Sequence, residues 1–347
     1  MTHGVGIVGT GMIANFHARA IADSNGGQLL GCFDRSVDRA QAFVVEHGGQ
    51  AFGTLEEMLA RNDIQIVAVC TPSGAHAEPA VAAAEAGKHV MIEKPLEVTV
   101  EKCDAIIQAA TKAGGKLCVT FQSRFHESAR LIKKAIEDGR FGKITMGDAY
   151  VKWYRTQEYY DSGAWRGTWE LDGGGALMNQ AVHSVDLLLW LMGPVAKVSA
   201  MTQTMTHERI EVEDVAIANV QFQNGALGVI EATTTAYPGA LKRIEITGSH
   251  GSAILEEEDL KQWEFAEETD DDALIRERLA GMTESGGGAS DPSAIDHHGH
   301  TENYNDLITA IENDREPLIN GLEGRRSVEL ICAVYESART GQTVTLG

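Results

Sequence analysis

Three clusters of residues in this chain have the types and spacing to do chemistry. The first is Gly9-Thr10-Gly11-Met12-Ile13-Ala14, which fits G-x-G-x-x-A directly after an apolar run and directly before a helical pattern. Gly9 permits a tight turn, and Gly11 lets the backbone approach a pyrophosphate. Ala14 allows close helix–sheet packing, and the helix start at Met12 and Ile13 receives the negative charge. Asp34 ends the next apolar run, about 20 residues past the fingerprint, where a carboxylate binds the adenosine ribose hydroxyls. Asp34 repels a 2′-phosphate and so favours NAD. Arg35 beside it can accept that phosphate, which keeps NADP open.

The second cluster lies at the ends of later apolar runs. Thr71, Pro72 and Ser73 follow Cys70, with His76 just beyond, and Gln122 follows the run at 117–121. In a parallel sheet the carboxyl ends of the strands face the ligand crevice, so these residues are candidate cofactor contacts. Glu93-Lys94-Pro95 ends another run, which makes Glu93 and Lys94 candidate cofactor contacts as well. A half-buried lysine there could donate to a substrate oxygen, with burial lowering its pKa. A solvated strand-end lysine is the alternative.

The third cluster runs from Trp165 and Arg166 through Gly173-Gly174-Gly175 to Asn179 and His183. The triple glycine would let a ligand approach. Asn179 and His183 stand at i and i+4, on one helix face, and Asp186 continues a polar stripe in an otherwise apolar helix. Helix capping and a satisfied core histidine are the plain alternative. His297-His298-Gly299-His300 lacks the common zinc spacings, so no metal is expected, and His298 or His300 is read as lining a substrate pocket.

The elements that must position these groups show in the hydrophobic pattern. Apolar runs at 5–8, 29–33, 64–70, 89–92 and 117–121 alternate with helical stretches at 12–23, 36–47, 54–61, 75–87 and 99–113. Thr54 and Glu57 form a capping box for the third stretch. Continuous apolar strands alternating with helices predict an N-terminal α/β Rossmann domain, a doubly wound parallel sheet, over 1–122. Residues 123–347 form a second, α+β domain. There a helix at 125–138 precedes a strand at 144–153, and an apolar helix at 177–192 precedes strand-like runs at 195–206, 213–222, 226–235, 241–247 and 251–255. Short turns such as Asn224-Gly225 predict an antiparallel meander. Residues 266–300 read as a long loop with one helix at most, and helices at 300–314 and 323–339 close the chain. The strands at 213–235 alternate imperfectly, leaving apolar side chains on both faces.

The chain has 347 residues, and 50 Asp and Glu against 29 Lys and Arg give a net charge of −21. Such a field repels phosphate backbones and anionic lipid, so neither nucleic acid nor membrane is an expected partner. No apolar run reaches the ~18–20 residues of a membrane helix. The five cysteines are scattered, with no CxxC. That usage, and the absence of a signal peptide, suggest a reducing cytoplasm.

Taken together, the fingerprint, Asp34, the Thr71-Pro72…His76 segment, Glu93-Lys94-Pro95, the glycine–histidine helix and the His300…Tyr304-Asn305-Asp306 end resemble the Gfo/Idh/MocA oxidoreductase family across the whole chain. The resemblance implies an open, mostly antiparallel second sheet with helices on one face, whose exposed face often forms a homodimer or homotetramer interface. It implies hydride transfer between NAD(P) and a CH–OH or ketone carbon of a sugar, sugar acid or polyol such as an inositol. Lys94 and His183 would be its acid–base pair, with Asn179 beside them. Arg124, Tyr154, Trp165, Arg166, Asn179, His183 and His298 are the expected substrate contacts. Many members carry Asp where this chain has Asn179; a subset acting on UDP-N-acetylglucosaminuronate and related sugars also has Asn. Two rivals remain: lyase or glycosidase chemistry on tightly held NAD through a transient ketone, and a non-catalytic NAD sensor.

Overall fold

The computed structural model describes residues 2–281 and 297–347. In chain order its elements are β1 (His3–Val8), α1 (Met12–Asp23), β2 (Gly27–Phe33), α2 (Val37–His47), β3 (Gln50–Ala51), α3 (Leu55–Leu59), β4 (Ile64–Val69), α4 (Ala77–Glu85), β5 (His89–Ile92), α5 (Val100–Ala113), β6 (Leu117–Val119), α6 (Glu127–Glu137), β7 (Ile144–Lys152), α7 (Gln157–Asp161), α8 (Val182–Met192), β8 (Val195–Gln203), β9 (Val215–Phe222), β10 (Leu227–Thr233), β11 (Arg243–Gly248), β12 (Gly251–Glu256), β13 (Asp259–Phe265), α9 (Asp272–Arg278), α10 (His298–Glu312), α11 (Gly321–Thr340) and β14 (Val344–Thr345). They divide into two compact units: residues 1–122 with 296–328, and 123–295 with 329–347.

The first unit is a six-stranded sheet in the order β3-β2-β1-β4-β5-β6, parallel throughout. The order reverses between β1 and β4, which is where such sheets bind ligands. Every residue of β1 is buried, as expected of a strand covered on both faces. Side chains cap the helices where the sequence offers them. Thr54 Oγ1 accepts from Glu57 N at 3.1 Å, and Gly53 N donates back to the Glu57 carboxylate at 3.0 Å.

The first unit takes in the chain up to residue 122 and also a segment near the C-terminus. Helix α10 returns to it, burying Tyr304, Leu307 and Ile308 in one core with Val5, Ile7, Ala14 and Ile21. The expected single domain over 123–347 is corrected accordingly. An apolar stripe at 304, 307, 308 and 311 has to be buried, and the sequence alone did not say against which sheet.

The second unit is an eight-stranded sheet in the order β13-β12-β11-β7-β10-β9-β8-β14. The expected meander exists in two halves, with β7 wedged between β10 and β11 and parallel to β10. Glycines permit the close packing there: a Cβ on Gly228 would lie 2.0 Å from the Gly147 carbonyl oxygen. Strands β9 and β10 alternate cleanly. Ala216, Ala218, Val220, Phe222, Ile230 and Ala232 are buried, while Ile217 and Leu227 point outward and Met201 on β8 pairs across from Ile217. The triplet Gly286-Gly287-Gly288 lies outside the described residues.

Candidate active site

In the first unit Gly9 adopts a φ of +86°, and a Cβ there would meet the Cys70 carbonyl oxygen at 2.9 Å. A Cβ on Gly11 would meet nothing within 4 Å. Gly11 caps α1 without a side-chain partner, and no acidic residue occupies that helix's first turn. A free helix start with open space before it fits a dinucleotide pyrophosphate. Gln122 adds a buried Oε1 with no hydrogen-bond partner, an acceptor a bound amide would satisfy. Met12 is exposed and Ile13 packs toward the core.

Asp34 is buried and accepts four groups. Thr10 N and Oγ1 reach one oxygen at 2.9 and 3.0 Å, and Ser36 N and Arg39 Nη2 reach the other at 2.8 Å each. Burial works against its charge, but these bonds outweigh it and hold the carboxyl below its usual range. The cation beside Asp34 is therefore Arg39, whereas Arg35 is exposed. A ribose hydroxyl would replace one of these donors, and Arg39 is the exposed one.

Glu93 and His76 were expected to touch the cofactor, and the structure gives both other work. Glu93 Oε1 accepts from His17 Nε2 at 2.8 Å and lies 3.3 Å from His300 Nε2, while Oε2 accepts from Lys94 N at 3.1 Å. Burial opposes the charge on Glu93, yet the two histidines hold it well below the ordinary range. Burial keeps His17 low and hence neutral, so its Nδ1 accepts from the Tyr304 hydroxyl at 2.8 Å. His17, Glu93 and His300 are also the one trio among the described residues with metal-ligand geometry, but hydrogen bonding alone accounts for their closeness. His300 is thus a core residue beside Glu93. His298 is exposed on the first turn of α10. The ring nitrogens of buried His76 face the Thr71 and Pro95 carbonyl oxygens at 3.0 and 2.9 Å. It braces two strand ends. Ser73 is buried in the turn after Thr71 and Pro72, and Lys94 is half-buried.

In the second unit the expected α-helix over 177–192 begins as a π-turn, Ala176–Ala181, before α8 proper. Between residues 172 and 189 only Asn179 and His183 are not fully buried. The two groups chosen for their chemistry are therefore the two that keep some exposure in this segment. Asp186, expected to extend that stripe, is buried in a two-pronged ion pair with Arg124 at 2.8 and 2.6 Å. Arg124 is 1% exposed, so it is removed from the substrate contacts: its guanidinium is already spent on a carboxylate.

Around Asn179 stands a network that sequence reasoning missed. Asn179 Nδ2 donates to Asp172, and its Oδ1 accepts from Gln180 Nε2 at 2.5 Å. Gln180 Nε2 also reaches the Tyr159 hydroxyl at 2.9 Å, and Arg155 Nε donates to Gln180 Oε1 at 3.1 Å. Asp172 is buried and accepts from Gly167 N at 2.8 Å. Arg166 donates to the Tyr159 hydroxyl at 2.6 Å, and its guanidinium stacks 4.2 and 4.5 Å from the Tyr159 and Trp165 ring centres. Tyr154 packs edge-on against Tyr237. The glycine triplet serves the protein and not a ligand: a Cβ on Gly174 would lie 2.0 Å from the Tyr335 hydroxyl, and one on Gly175 would lie 1.8 Å from the Glu213 carbonyl.

Comparison with known proteins agrees with this geometry. Residues 3–121 match the model of an oxidoreductase family with an NAD-binding Rossmann fold, and residues 129–254 match the GFO/IDH/MocA C-terminal domain. The chain belongs to the GFO/IDH/MocA oxidoreductase family. It is similar over 100% of its length to the WlbA dehydrogenase from Bordetella pertussis in complex with NADH and UDP-GlcNAcA, with 37% identity, TM-score 0.89 and 98% of that chain covered. It is similar to a levoglucosan dehydrogenase in complex with NADH and levoglucosan, at 26% identity, TM-score 0.86 and 100% of both chains. The myo-inositol 2-dehydrogenase of Thermotoga maritima is 26% identical over 99% of this chain and 98% of its own. The protein is an NAD-dependent oxidoreductase of this family, and the resemblance, fold class and cofactor read from the sequence hold.

The charge of Asp34 is expected to set the preference between cofactors. Calorimetry should find NAD bound at least tenfold tighter than NADP, about 1.4 kcal/mol. Asp34→Ser should narrow that gap, because it removes the repelling charge and releases Arg39. Equal or tighter NADP binding by the unmodified protein would contradict this reading.

Proposed function

We propose that the protein is a dehydrogenase of a sugar acid, interconverting a secondary alcohol and its ketone, with Lys94 and His183 as the acid–base pair. The observation that carries the substrate class is Arg166. It is half-buried between two aromatic rings and, among the described residues, has no carboxylate partner. A cation held this way is suited to a planar carboxylate. The whole-length similarity to a dehydrogenase crystallised with UDP-GlcNAcA, itself a sugar acid, supports the same class.

A bound nicotinamide would supply the acceptor for the hydride that leaves the substrate carbon. His183 takes the hydroxyl proton as the C–O bond becomes C=O. Lys94 donates a hydrogen bond to that oxygen, and Arg166 holds the carboxylate. Asn179, fixed by Asp172 and Gln180, keeps a polar amide beside His183 on the exposed strip of its helix.

The test compares hexuronates, free and nucleotide-linked, with the matching neutral hexoses and inositols, following reduced nicotinamide by absorbance. The acids should lead in kcat/KM by about tenfold or more, the rate equivalent of ~1.4 kcal/mol, and Arg166→Met should abolish that lead. Lys94→Ala should lower kcat by ~10²–10⁴-fold with NAD affinity intact. A neutral polyol turned over as well as its acid would overturn the substrate class. A Lys94→Ala variant of full activity would overturn the acid–base assignment.

We further propose a cytoplasmic enzyme, without nucleic-acid or membrane partners, that forms a homodimer or homotetramer. None of the five cysteines is in a disulfide, and no described helix is long and apolar enough to cross a membrane. The outward Met201 and Ile217 pair leaves apolar surface on the sheet face of the second unit, and Leu227 adds more at the other end of the β9–β10 ladder, the kind of surface that self-association covers. Light scattering at micromolar concentration should give two or four chains; a monomer would contradict it.

A further inference from the structure

A helix start leaves four backbone amides without intrahelical acceptors. In the segment that presents Asn179 and His183 these are Gly175, Ala176, Leu177 and Met178, since Asn179 N is the first to bond back, to Gly175 O at 3.1 Å. Glycine at the cap position offers no side chain. All four amides are met by two residues distant in sequence. Gly175 N donates to one Glu213 carboxylate oxygen at 3.0 Å, and Leu177 N to the other at 2.8 Å. Ala176 N donates to the Glu213 carbonyl at 3.0 Å. Met178 N donates to the Tyr335 hydroxyl at 3.3 Å, and that hydroxyl donates to the Glu213 carboxylate at 3.1 Å.

We propose that Glu213 and Tyr335 are positioning residues for the reaction: together they cap the π-turn from outside and set where Asn179 and His183 stand. The proposal rests on the reading of Asn179 and His183 as site residues. Glu213 is 4% exposed, so water does not replace it as an acceptor. The clearance at Gly174 and Gly175 is what allows the Tyr335 hydroxyl and the Glu213 backbone to come so close. The widened turn follows at once, and wide turns of this kind recur at functional sites. Burial outweighs the amides and the Tyr335 hydroxyl, which favour the charged form, and leaves the Glu213 carboxyl raised to about 7. Carboxylate and capped turn therefore hold each other in place.

The experiment measures steady-state kinetics of Tyr335→Phe and Glu213→Gln beside His183→Ala, each with melting temperature and NAD affinity. Tyr335→Phe deletes one hydroxyl from an otherwise unchanged ring. It should lower kcat about tenfold, roughly the worth of one hydrogen bond, with KM and NAD affinity within about twofold of the unmodified enzyme. Glu213→Gln puts an amide NH₂ where an acceptor is needed, and should lower kcat further with the same split. If Glu213→Gln does not fold, Tyr335→Phe decides alone. Loss of activity in His183→Ala with normal kcat in Tyr335→Phe would overturn the positioning proposal and leave the site reading intact. Full activity in His183→Ala would overturn the site reading itself.

Discussion

A carboxylate taken out of water must be met by donors or it loses its charge, and in this protein that constraint orders the segments that carry the candidate site. Glu93 accepts from His17 and Lys94 N, with His300 close by. Asp186 takes Arg124. The consecutive acids Glu213 and Asp214 collect amides from two different loops. Glu213 holds Gly175 and Leu177, while Asp214 holds Met205, Thr206 and His207. His207 in turn reaches the Arg155 carbonyl at 2.9 Å, and Arg155 reaches Gln180. The segments carrying the candidate site are thus tied to acids that are themselves buried.

This arrangement suits proton and hydride transfer, which tolerates little error in placement. Segments such as the Gly-rich turn and residues 203–214 have few ladder hydrogen bonds of their own. Anchoring them through buried charge gives order without regular structure. It also concentrates exposure: among the buried residues from 172 to 189, only Asn179 and His183 remain reachable. At position 179 this chain has an amide, hydrogen-bonded to the buried carboxylate of Asp172, so that carboxylate stands one hydrogen bond behind it.

The parallel sheet was legible because its strands read as continuous apolar runs and its turn chemistry is local: Gly9, Asp34 and the Thr54 cap each sit where the pattern put them. Asn179 and His183 were legible as polar interruptions of an apolar helix. Long-range pairing was not. Nothing near residue 144 says that β7 will enter between β10 and β11, or that α10 will pack back on β1. The partners of buried charges were equally hidden. Arg124 reads as a substrate contact until Asp186 stands opposite it, and Gly174 reads as ligand clearance until Tyr335 fills the space. Glu93 looked like part of a cofactor motif, whereas its job is set by histidines from α1 and α10. Each of these depends on a contact between residues far apart in sequence, and no spacing within a motif encodes such a contact.

The most direct test of buried acids as anchors is residue-resolved amide hydrogen exchange on the NAD-bound protein. The account predicts slow exchange at Gly175, Leu177, Met205, Thr206 and His207, amides outside regular α-helix and strand that donate to Glu213 and Asp214. Exchange at these positions as fast as at the exposed turn around Asn224 and Gly225 would contradict it.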